Sequence, residues 1–249
     1  MPIPAEIING KKTFTVLENN PEVMNTLAHK LGLSPDLEFH DIYSLTDPDL
    51  LSLIPRPVLA LLVIIPITPA WHADRTAEDA NKPSYTGSGP EEPVVWFKQT
   101  IGHACGSIGL LHCLLNGPAK EFILPDTTLA KIREQAVPLK MAERAQLLYD
   151  SKELEDAHQS VAEMGDTAAP SAEEGDELSG HFVTFVKEGG KLWELEGDRK
   201  GPIERGQLGE EYDVLSEGAV ERGIGRVIRL ERERGSGDLR FSAIALTKR

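Results

Sequence analysis

The pattern of apolar and polar residues near the start of the chain predicts a well-capped helix. Asn20 suits the N-cap, Pro21 suits the first helical position, and the acidic Glu22 lies in the first turn, where the helix dipole favours negative charge. Gly32 provides a C-cap, so we expect the helix to end at about Leu31.

The longest apolar run, residues 58–67, predicts a central strand that is covered on both faces. The run is too short to cross a bilayer, so no membrane span is expected. Two shorter elements are expected before this run: a short strand or turn over residues 37–45 and a brief helix that begins at residues 47–50. Residues 68–93 are rich in Ala, Asp, Pro, Gly and Ser, and we expect an exposed, mobile loop there.

Residues 101–115 are apolar around most of a helical circumference, which predicts a central, buried helix. Two further helices are expected over residues 126–136 and 140–149, separated by Pro138.

The C-terminal part of the chain has a β pattern. Strands over residues 182–186 and 191–196 flank the turn residues 188–190, which is a hairpin signature. Two more strands are expected over residues 225–230 and 239–246.

An acidic stretch separates the helical part from this β part. Residues 150–178 include ten acidic residues and one basic residue, and no aromatic residue. We expect the second half of the stretch to be disordered or loosely ordered. An inert acidic linker is the alternative to any functional role.

Length and charge restrict the class of protein. The 249 residues, of which 40% are apolar, are expected to form one globular domain spanning residues 1–249. The net charge of −14 argues against nucleic acid or an anionic membrane and favours a basic partner, although many cytosolic proteins are acidic for solubility alone. The N-terminus lacks the basic and apolar regions of a secretory signal.

The chain has two cysteines, Cys105 and Cys113, eight residues apart on one predicted helix, so they cannot readily form a disulfide. This indicates a reducing compartment, and we expect the cytoplasm. His103 and His112 stand beside them, but neighbouring side chains on a helix diverge by about 100° and there is no Cys-x-x-Cys spacing. No metal or cofactor is expected.

Cys105 lies at the start of the buried helix, where unpaired N–H groups and the helix dipole stabilise a thiolate. Gly106 leaves space for an extended peptide to approach the sulfur. A free cysteine is more often a small buried packing residue, so further groups must support a nucleophile.

A cysteine peptidase also needs a base, a group that orients the base, and a donor for the oxyanion. His181 opens a strand directly after the acidic stretch and is the candidate base. Gln99, six residues before Cys105, is the candidate donor, although an exposed loop glutamine fits the spacing equally well. Glu196, at the end of the hairpin, can orient His181. Asp198 is its alternative.

In several separate blocks the sequence resembles the ubiquitin C-terminal hydrolases. The most specific block is residues 98–108, Lys-Gln-Thr-Ile-Gly-His-Ala-Cys-Gly-Ser-Ile. The others are residues 17–23, 49–58, 66–68, 181–183, 192–197 and 201–203.

By position, Cys105 matches the nucleophile of this family, Gln99 its oxyanion-hole glutamine and His181 its general base. His103 stands where the family often has asparagine. Glu196 stands where the family usually has aspartate. The longer side chain can still hold an imidazole, as glutamate does in some hydrolase triads, and Asp198 after a local shift is the alternative.

The resemblance implies an α/β (α+β) fold like that of the papain-like cysteine peptidases, with a central antiparallel sheet, helices on both faces and a knotted chain path. It also implies a crossover loop over the active site, at about residues 151–179. The acidic stretch would then be a gate that admits only slim tails or leaving groups, and it would suit the basic face of ubiquitin. No long extension follows Leu246, so the short single-domain members are the better match.

The activity implied by the resemblance is that of a thiol-dependent deubiquitinating hydrolase, acting as a monomer. It would cleave the bond after the C-terminal glycine of ubiquitin and release small adducts or short peptide extensions. One alternative is a ubiquitin-binding module with weakened catalysis, for which Glu196 is the only support. Another is a hydrolase that prefers a ubiquitin-like modifier.

Overall fold

The structure is a computed structural model and describes residues 4–166, 180–234, 237 and 239–249. Its centre is a six-stranded sheet in which every neighbouring pair of strands is antiparallel, and a small hairpin lies apart from it. The hairpin consists of β1 (Glu6–Ile8) and β2 (Lys11–Thr13). The sheet consists of β3 (Leu37–Asp41), β4 (Ala60–Pro66), β5 (Gly180–Glu188), β6 (Lys191–Leu195), β7 (Ile203–Gln207) and β8 (Ser242–Lys248), in the order β3-β8-β4-β5-β6-β7.

Helices supply most of the remaining regular structure in the described ranges. A 3₁₀ turn covers Gly117–Phe122. The α-helices are α1 (Pro21–Leu31), α2 (Pro48–Leu51), α3 (Pro69–Asp79), α4 (Cys105–Leu115), α5 (Thr128–Ala136), α6 (Met141–Asp150), α7 (Lys152–Gln159), α8 (Glu217–Arg222) and α9 (Ile224–Arg234).

The sheet separates two hydrophobic cores, as the alternation of side chains along β4 shows. Leu62 packs into the larger core with residues of α1, α4, α5 and α7, whereas Leu61 and Val63 pack into the second core with residues of α3, α8 and α9. Burying each of these side chains contributes about 1.5–3 kcal/mol. Helices therefore cover both faces, and the predicted central strand is confirmed.

Helix α4 lies directly against the middle of the sheet. It contacts β5 and β4, and a Cβ on Gly109 would lie only 2.7 Å from Leu62 Cδ1. Ten of its eleven residues are buried, so the predicted central helix is confirmed. This close approach places the N-terminus of α4 near the start of β5.

Several other predicted elements are also confirmed. The side chain of Asn20 accepts a hydrogen bond from Glu22 N at the start of α1, and Gly32 ends that helix with a φ of 114°. The helices expected over residues 126–136 and 140–149 correspond to α5 and α6.

The strand expected over residues 225–230 is wrong, because this segment lies within α9. Ile224, Val227 and Glu231 are buried on one side of the helix, at spacings of three and four residues, while arginines occupy four of the eight other positions. The β-branched residues favoured a strand, but the helical spacing of the buried positions determines the structure.

The loop expected over residues 68–93 is also partly wrong, because it begins with α3. The side chain of Thr68 accepts a hydrogen bond from Trp71 N, and Pro69 occupies the first turn. Trp71 is the single buried residue of this helix. Ion pairs rather than an apolar stripe attach α3 to the protein, so hydrophobic periodicity could not indicate it.

The acidic stretch begins with α7. Leu154 reaches the larger core. His158 Nε2 donates to Thr15 O, and His158 Nδ1 accepts from Ser107 Oγ, each at 2.7 Å. The first part of the expected crossover loop is therefore a docked helix. The prediction of disorder for the second half falls largely on residues 167–179, which lie outside the described residues.

Candidate active site

Cys105 is the first residue of α4, and backbone N–H groups surround its thiol. Ala104, at the N-cap position, offers no side-chain hydrogen bond to the first turn. The N–H groups of Phe182, Gly106 and Cys105 itself lie within hydrogen-bonding reach of the sulfur. These are the partners that a thiolate requires.

Burial raises the pKa of the Cys105 thiol, and the nearby Glu196 carboxylate raises it further, although the three N–H groups counteract both effects. The resting thiol is therefore protonated at neutral pH. A nucleophile at this position needs a base that removes the proton as the reaction begins.

The expectation that Gly106 gives a peptide access to the sulfur is not supported by its surroundings. A Cβ at this position would lie 3.2 Å from Leu17 Cβ and 3.3 Å from a ring carbon of Phe182. The missing side chain therefore serves the close packing of α4 against its neighbours.

The loop that enters α4 is braced by the N-terminal hairpin. Gly102 N donates to Lys12 O at 2.8 Å, and Phe14 N donates to Gly102 O at 2.9 Å. His103 follows with a φ of 54°, in the left-handed region, where asparagine, aspartate and histidine are enriched among residues with a side chain. This conformation explains why either histidine or asparagine is suited to the position.

Gln99 lies in the same loop, beside the turn that follows Glu196. Its backbone N–H donates to Gly197 O at 2.8 Å, and a Cβ on Gly197 would lie 2.9 Å from Gln99 Cβ. Gln99 Oε1 is buried and has no hydrogen-bond partner in the described part of the chain. The backbone of Gln99 is thus tied to the turn after Glu196, while its Oε1 is not engaged by another group in the described residues.

His181 is the second residue of β5, and its Nε2 lies 2.8 Å from Glu196 Oε1. The N–H is not aligned for a linear hydrogen bond, so the two groups are in close polar contact. Because Nε2 faces the carboxylate, Nδ1 is the nitrogen left to accept a proton from a thiol. The next residue of β5, Phe182, supplies one of the N–H groups at the Cys105 sulfur, so the start of β5 lies beside the N-terminus of α4.

Glu196 is 2% exposed and has several partners. Its Oε1 accepts from Asp198 N at 3.1 Å, Oε2 lies 3.5 Å from Arg75 Nε, and its carbonyl accepts from Trp96 Nε1 at 3.1 Å. Burial alone would raise the pKa of this carboxyl group, but its interactions with His181 and Arg75 outweigh burial and lower the pKa. Glu196 is therefore ionised at neutral pH.

Asp198 has a different environment. Its side chain is 60% exposed, and its carboxylate lies 2.7 Å from Arg75 Nη2 and 3.8 Å from Lys98 Nζ. Of the two carboxylates that the sequence left open, the structure places Glu196 against the imidazole and Asp198 in a surface ion cluster.

Two residues at the site were missed in the sequence, Trp71 and Arg75 of α3. The Trp71 ring lies 6.0 Å from the His181 ring, centroid to centroid, and is 3% exposed. The sequence signal for α3 was its N-terminus, Thr68 followed by Pro69, which has the form of a capped helix start.

The described ranges contain neither a cluster of metal-ligating side chains nor a membrane-spanning helix. No group of three or more His, Cys, Asp or Glu side chains there could hold a metal ion. None of the helices in these ranges has both the length and the apolarity of a membrane span.

Comparisons with known proteins agree with this geometry. The family model described as ubiquitin carboxyl-terminal hydrolase, family 1, matches residues 14–229. Ubiquitin carboxyl-terminal hydrolase 3 of Arabidopsis thaliana is 34% identical over 242 residues, covering 97% of each chain. A ubiquitin carboxyl-terminal hydrolase of Aplysia californica is 34% identical over 215 residues, covering 85% of this chain and 94% of the relative.

A solved structure extends the similarity to the fold. The crystal structure of the Trichinella spiralis UCH37 catalytic domain bound to ubiquitin vinyl methyl ester has a TM-score of 0.69 and 20% identity, covering 95% of this chain and 96% of that one. The predicted fold class, a mixed α/β peptidase fold with a central antiparallel sheet, is confirmed.

Proposed function

The chain belongs to family 1 of the ubiquitin carboxyl-terminal hydrolases, and from this membership we propose that Cys105, His181, Glu196 and Gln99 form its active centre. The protein is a cysteine-type ubiquitin hydrolase. What remains to be assigned is which side chains perform the steps and which leaving groups the enzyme releases.

The observation that carries the proposal is the pair formed by His181 and Glu196. Because Nε2 lies 2.8 Å from the carboxylate, Nδ1 is the nitrogen that remains to accept a proton, and in this proposal it serves Cys105 at the N-terminus of α4. An ionised, buried carboxylate stabilises the imidazolium that forms when the thiol loses its proton. The raised pKa of the Cys105 thiol makes this transfer necessary.

The proposed reaction begins when His181 Nδ1 takes the thiol proton and the thiolate attacks the carbonyl carbon of the C-terminal glycine of ubiquitin. The amide of Gln99 and the N–H of Cys105 hold the oxyanion of the tetrahedral intermediate. His181 then protonates the leaving amine, and a thioester between ubiquitin and Cys105 remains. Water, deprotonated by His181, hydrolyses the thioester and restores the thiol.

The substrate is proposed to be ubiquitin linked to a small adduct or a short peptide extension. The net charge of −14 supports a basic partner, and ten of the acidic residues fall within residues 150–178. The solved UCH37 catalytic domain is bound to a ubiquitin derivative. We further propose that residues 1–249 act as one domain and as a monomer, in keeping with a sheet whose strands come from residues 37 to 248.

Covalent labelling with ubiquitin vinyl methyl ester tests the assignment of the nucleophile. The wild-type protein should gain the mass of one ubiquitin at Cys105, and Cys105→Ala should gain none. Cys113→Ala is the matched control, because Cys113 lies on the same helix but is buried, which raises its pKa to about 12. Labelling of Cys105→Ala, or of a residue other than Cys105, would overturn the assignment.

Turnover of a fluorogenic ubiquitin amide separates the enzyme from a binding module with weakened catalysis. The wild-type protein should release the fluorophore, whereas a binding module would bind the substrate without turnover. Inhibition of this turnover by free ubiquitin is then compared with inhibition by a free ubiquitin-like modifier, which tests which of the two proteins the enzyme prefers. Stronger inhibition by the ubiquitin-like modifier would contradict the proposed substrate.

A further inference from the structure

Helix α3 presents a tryptophan and an arginine, one turn apart, to the catalytic pair. The Arg75 guanidinium lies 4.4 Å from the centroid of the Trp71 ring, and that ring lies 6.0 Å from the His181 ring. Residues four apart on a helix share one face, which explains the stacked arrangement. In this stack Trp71 lies against His181, and Arg75 lies against Glu196.

Arg75 also reaches the carboxylate itself. Its Nε lies 3.5 Å from Glu196 Oε2, and its Nη2 lies 2.7 Å from Asp198 Oδ2. The other oxygen, Glu196 Oε1, is occupied by His181 and by the N–H of Asp198. The two oxygens of Glu196 therefore have separate partners, His181 on one and Arg75 on the other.

A glutamate at this position has a greater need for such a partner than an aspartate. Its extra methylene adds a rotatable bond between the backbone and the carboxylate, so more orientations are available to it. The side chain is also buried and ionised, and a buried charge requires partners for each of its oxygens.

We propose that Arg75 is a positioning residue, which fixes the Glu196 carboxylate so that His181 keeps Nδ1 toward Cys105. Arg75 touches neither the substrate nor the reacting atoms in this proposal. The inference rests on the proposed function and deepens it, because it gives the physical reason why a glutamate can replace the aspartate usual in the family.

Helix α3 has several attachments to the protein besides Arg75. Glu78 pairs with Arg199 and Arg205, and Asp74 pairs with Arg226 Nη1 at 2.6 Å. Replacing Arg75 should therefore disturb the carboxylate and leave the helix in place. Arg226→Gln provides a matched control, since it also removes an arginine pair of α3 but one without a recorded contact to Glu196.

The first experiment measures kcat and KM for a fluorogenic ubiquitin amide. Arg75→Gln should lower kcat by about tenfold to hundredfold, with KM changed by less than about threefold, as expected for loss of a group that orients a catalytic residue. Arg75→Lys, which keeps the charge, should recover part of the rate. Arg226→Gln should retain kcat within about threefold. An Arg75→Gln enzyme with the wild-type kcat, or a loss equal to that of Arg226→Gln, would overturn the inference.

A double-mutant cycle distinguishes action through Glu196 from general damage. Glu196→Gln should lower kcat by a much smaller factor in the Arg75→Gln background than in the wild-type background, because both changes disable the same carboxylate. Equal factors would reject the inference. If the wild-type protein itself neither turned over the substrate nor reacted with ubiquitin vinyl methyl ester, the proposed function would fail instead.

Discussion

Nε2 of His181 lies 2.8 Å from Oε1 of Glu196, so a glutamate occupies the position beside the imidazole where the family usually has an aspartate. The contact is possible because the chain leaves β6 after Leu195 and turns at Gly197, whose carbonyl accepts from Gln99 N. One turn thereby links Glu196, His181 and Gln99, to which we assign the roles of orienting carboxylate, base and oxyanion donor. This turn places Glu196, and not Asp198, beside the imidazole.

Glu196→Gln should slow turnover of a fluorogenic ubiquitin amide far more than Asp198→Asn. Loss of the negative charge removes the stabilisation of the imidazolium, and we expect kcat to fall by about a hundredfold or more. Asp198→Asn keeps the backbone N–H that donates to Glu196, and its side-chain oxygen can still accept from Arg75 at this exposed position, so kcat should stay within about threefold. The reverse ranking would transfer the orienting role to Asp198.

Gln99→Ala should lower kcat by about a hundredfold to a thousandfold, as does the loss of other side-chain oxyanion donors. Affinity for ubiquitin should persist, because the amide acts on charge that develops only during the reaction. Steady-state kinetics and binding to ubiquitin by calorimetry measure the two quantities. Gln135→Ala, at an exposed position of α5, is the control and should match the wild-type protein in both. A Gln99→Ala protein that loses binding but not kcat would refute the assigned role.

The sequence predicted those parts of the site whose local pattern is strong. Cys105 starts a helix that is apolar around its whole circumference. Such a helix has to be buried, so the sequence predicted its central position. The choice between Glu196 and Asp198 could not be made in this way. In the register of β5 and β6, Thr184 pairs with Leu195, and extending that register would bring Asp198, not Glu196, opposite His181.

The features that could not be predicted depend on contacts between distant parts of the chain. Helix α3 has a single buried apolar residue, and its position depends on partners such as Arg199 and Arg226, more than 100 residues away. Arg75 therefore had no local signal that linked it to Glu196. The wrong prediction of a strand over residues 225–230 also arose because burial there depends on distant parts of the chain. Packing against the second core determines which residues of this segment are buried.

Folding stability should fall as the pH drops from about 6.5 to about 4, partly because of His158. Burial lowers the pKa of His158 to about 4, so the folded protein binds fewer protons than the unfolded chain in this range. The stabilisation is complete at pH values above the pKa of histidine in the unfolded chain, about 6.5. It is lost as the pH falls and His158 is forced to take up a proton, an effect of up to about 3 kcal/mol on the free energy of unfolding. Urea unfolding of His158→Asn at several pH values should show a flatter pH dependence.

The controls for this prediction are two other histidines. His72→Asn, at an exposed position of α3, should leave the pH dependence unchanged. Burial lowers the pKa of His112 to about 3, so His112 should maintain part of the slope in the His158→Asn protein. Identical slopes for wild-type and His158→Asn proteins would contradict the prediction.

A second range of acid sensitivity should lie lower, between about pH 4.5 and pH 2, because of Glu78. Burial alone would raise the pKa of this carboxyl group, but the hydrogen bonds and charges of Arg205 and Arg199 lower it to about 2. Since the folded pKa is below the unfolded one, the stabilisation is present above about pH 4.5 and is lost as the pH falls. After allowance for partial exposure, it is worth about 2 kcal/mol.

Glu78→Gln should therefore lower the free energy of unfolding at pH 7 and reduce its fall between pH 5 and pH 3. The matched change Glu221→Gln removes a carboxylate whose nearest arginine contact, Arg229, is at 4.0 Å, with both side chains more than half exposed. Such a pair contributes less than about 1 kcal/mol, so this variant should follow the wild-type curve. If Glu78→Gln and Glu221→Gln had the same stability at both pH values, the pairing of Glu78 with Arg199 and Arg205 would not be what holds α3 against the turn that carries Glu196.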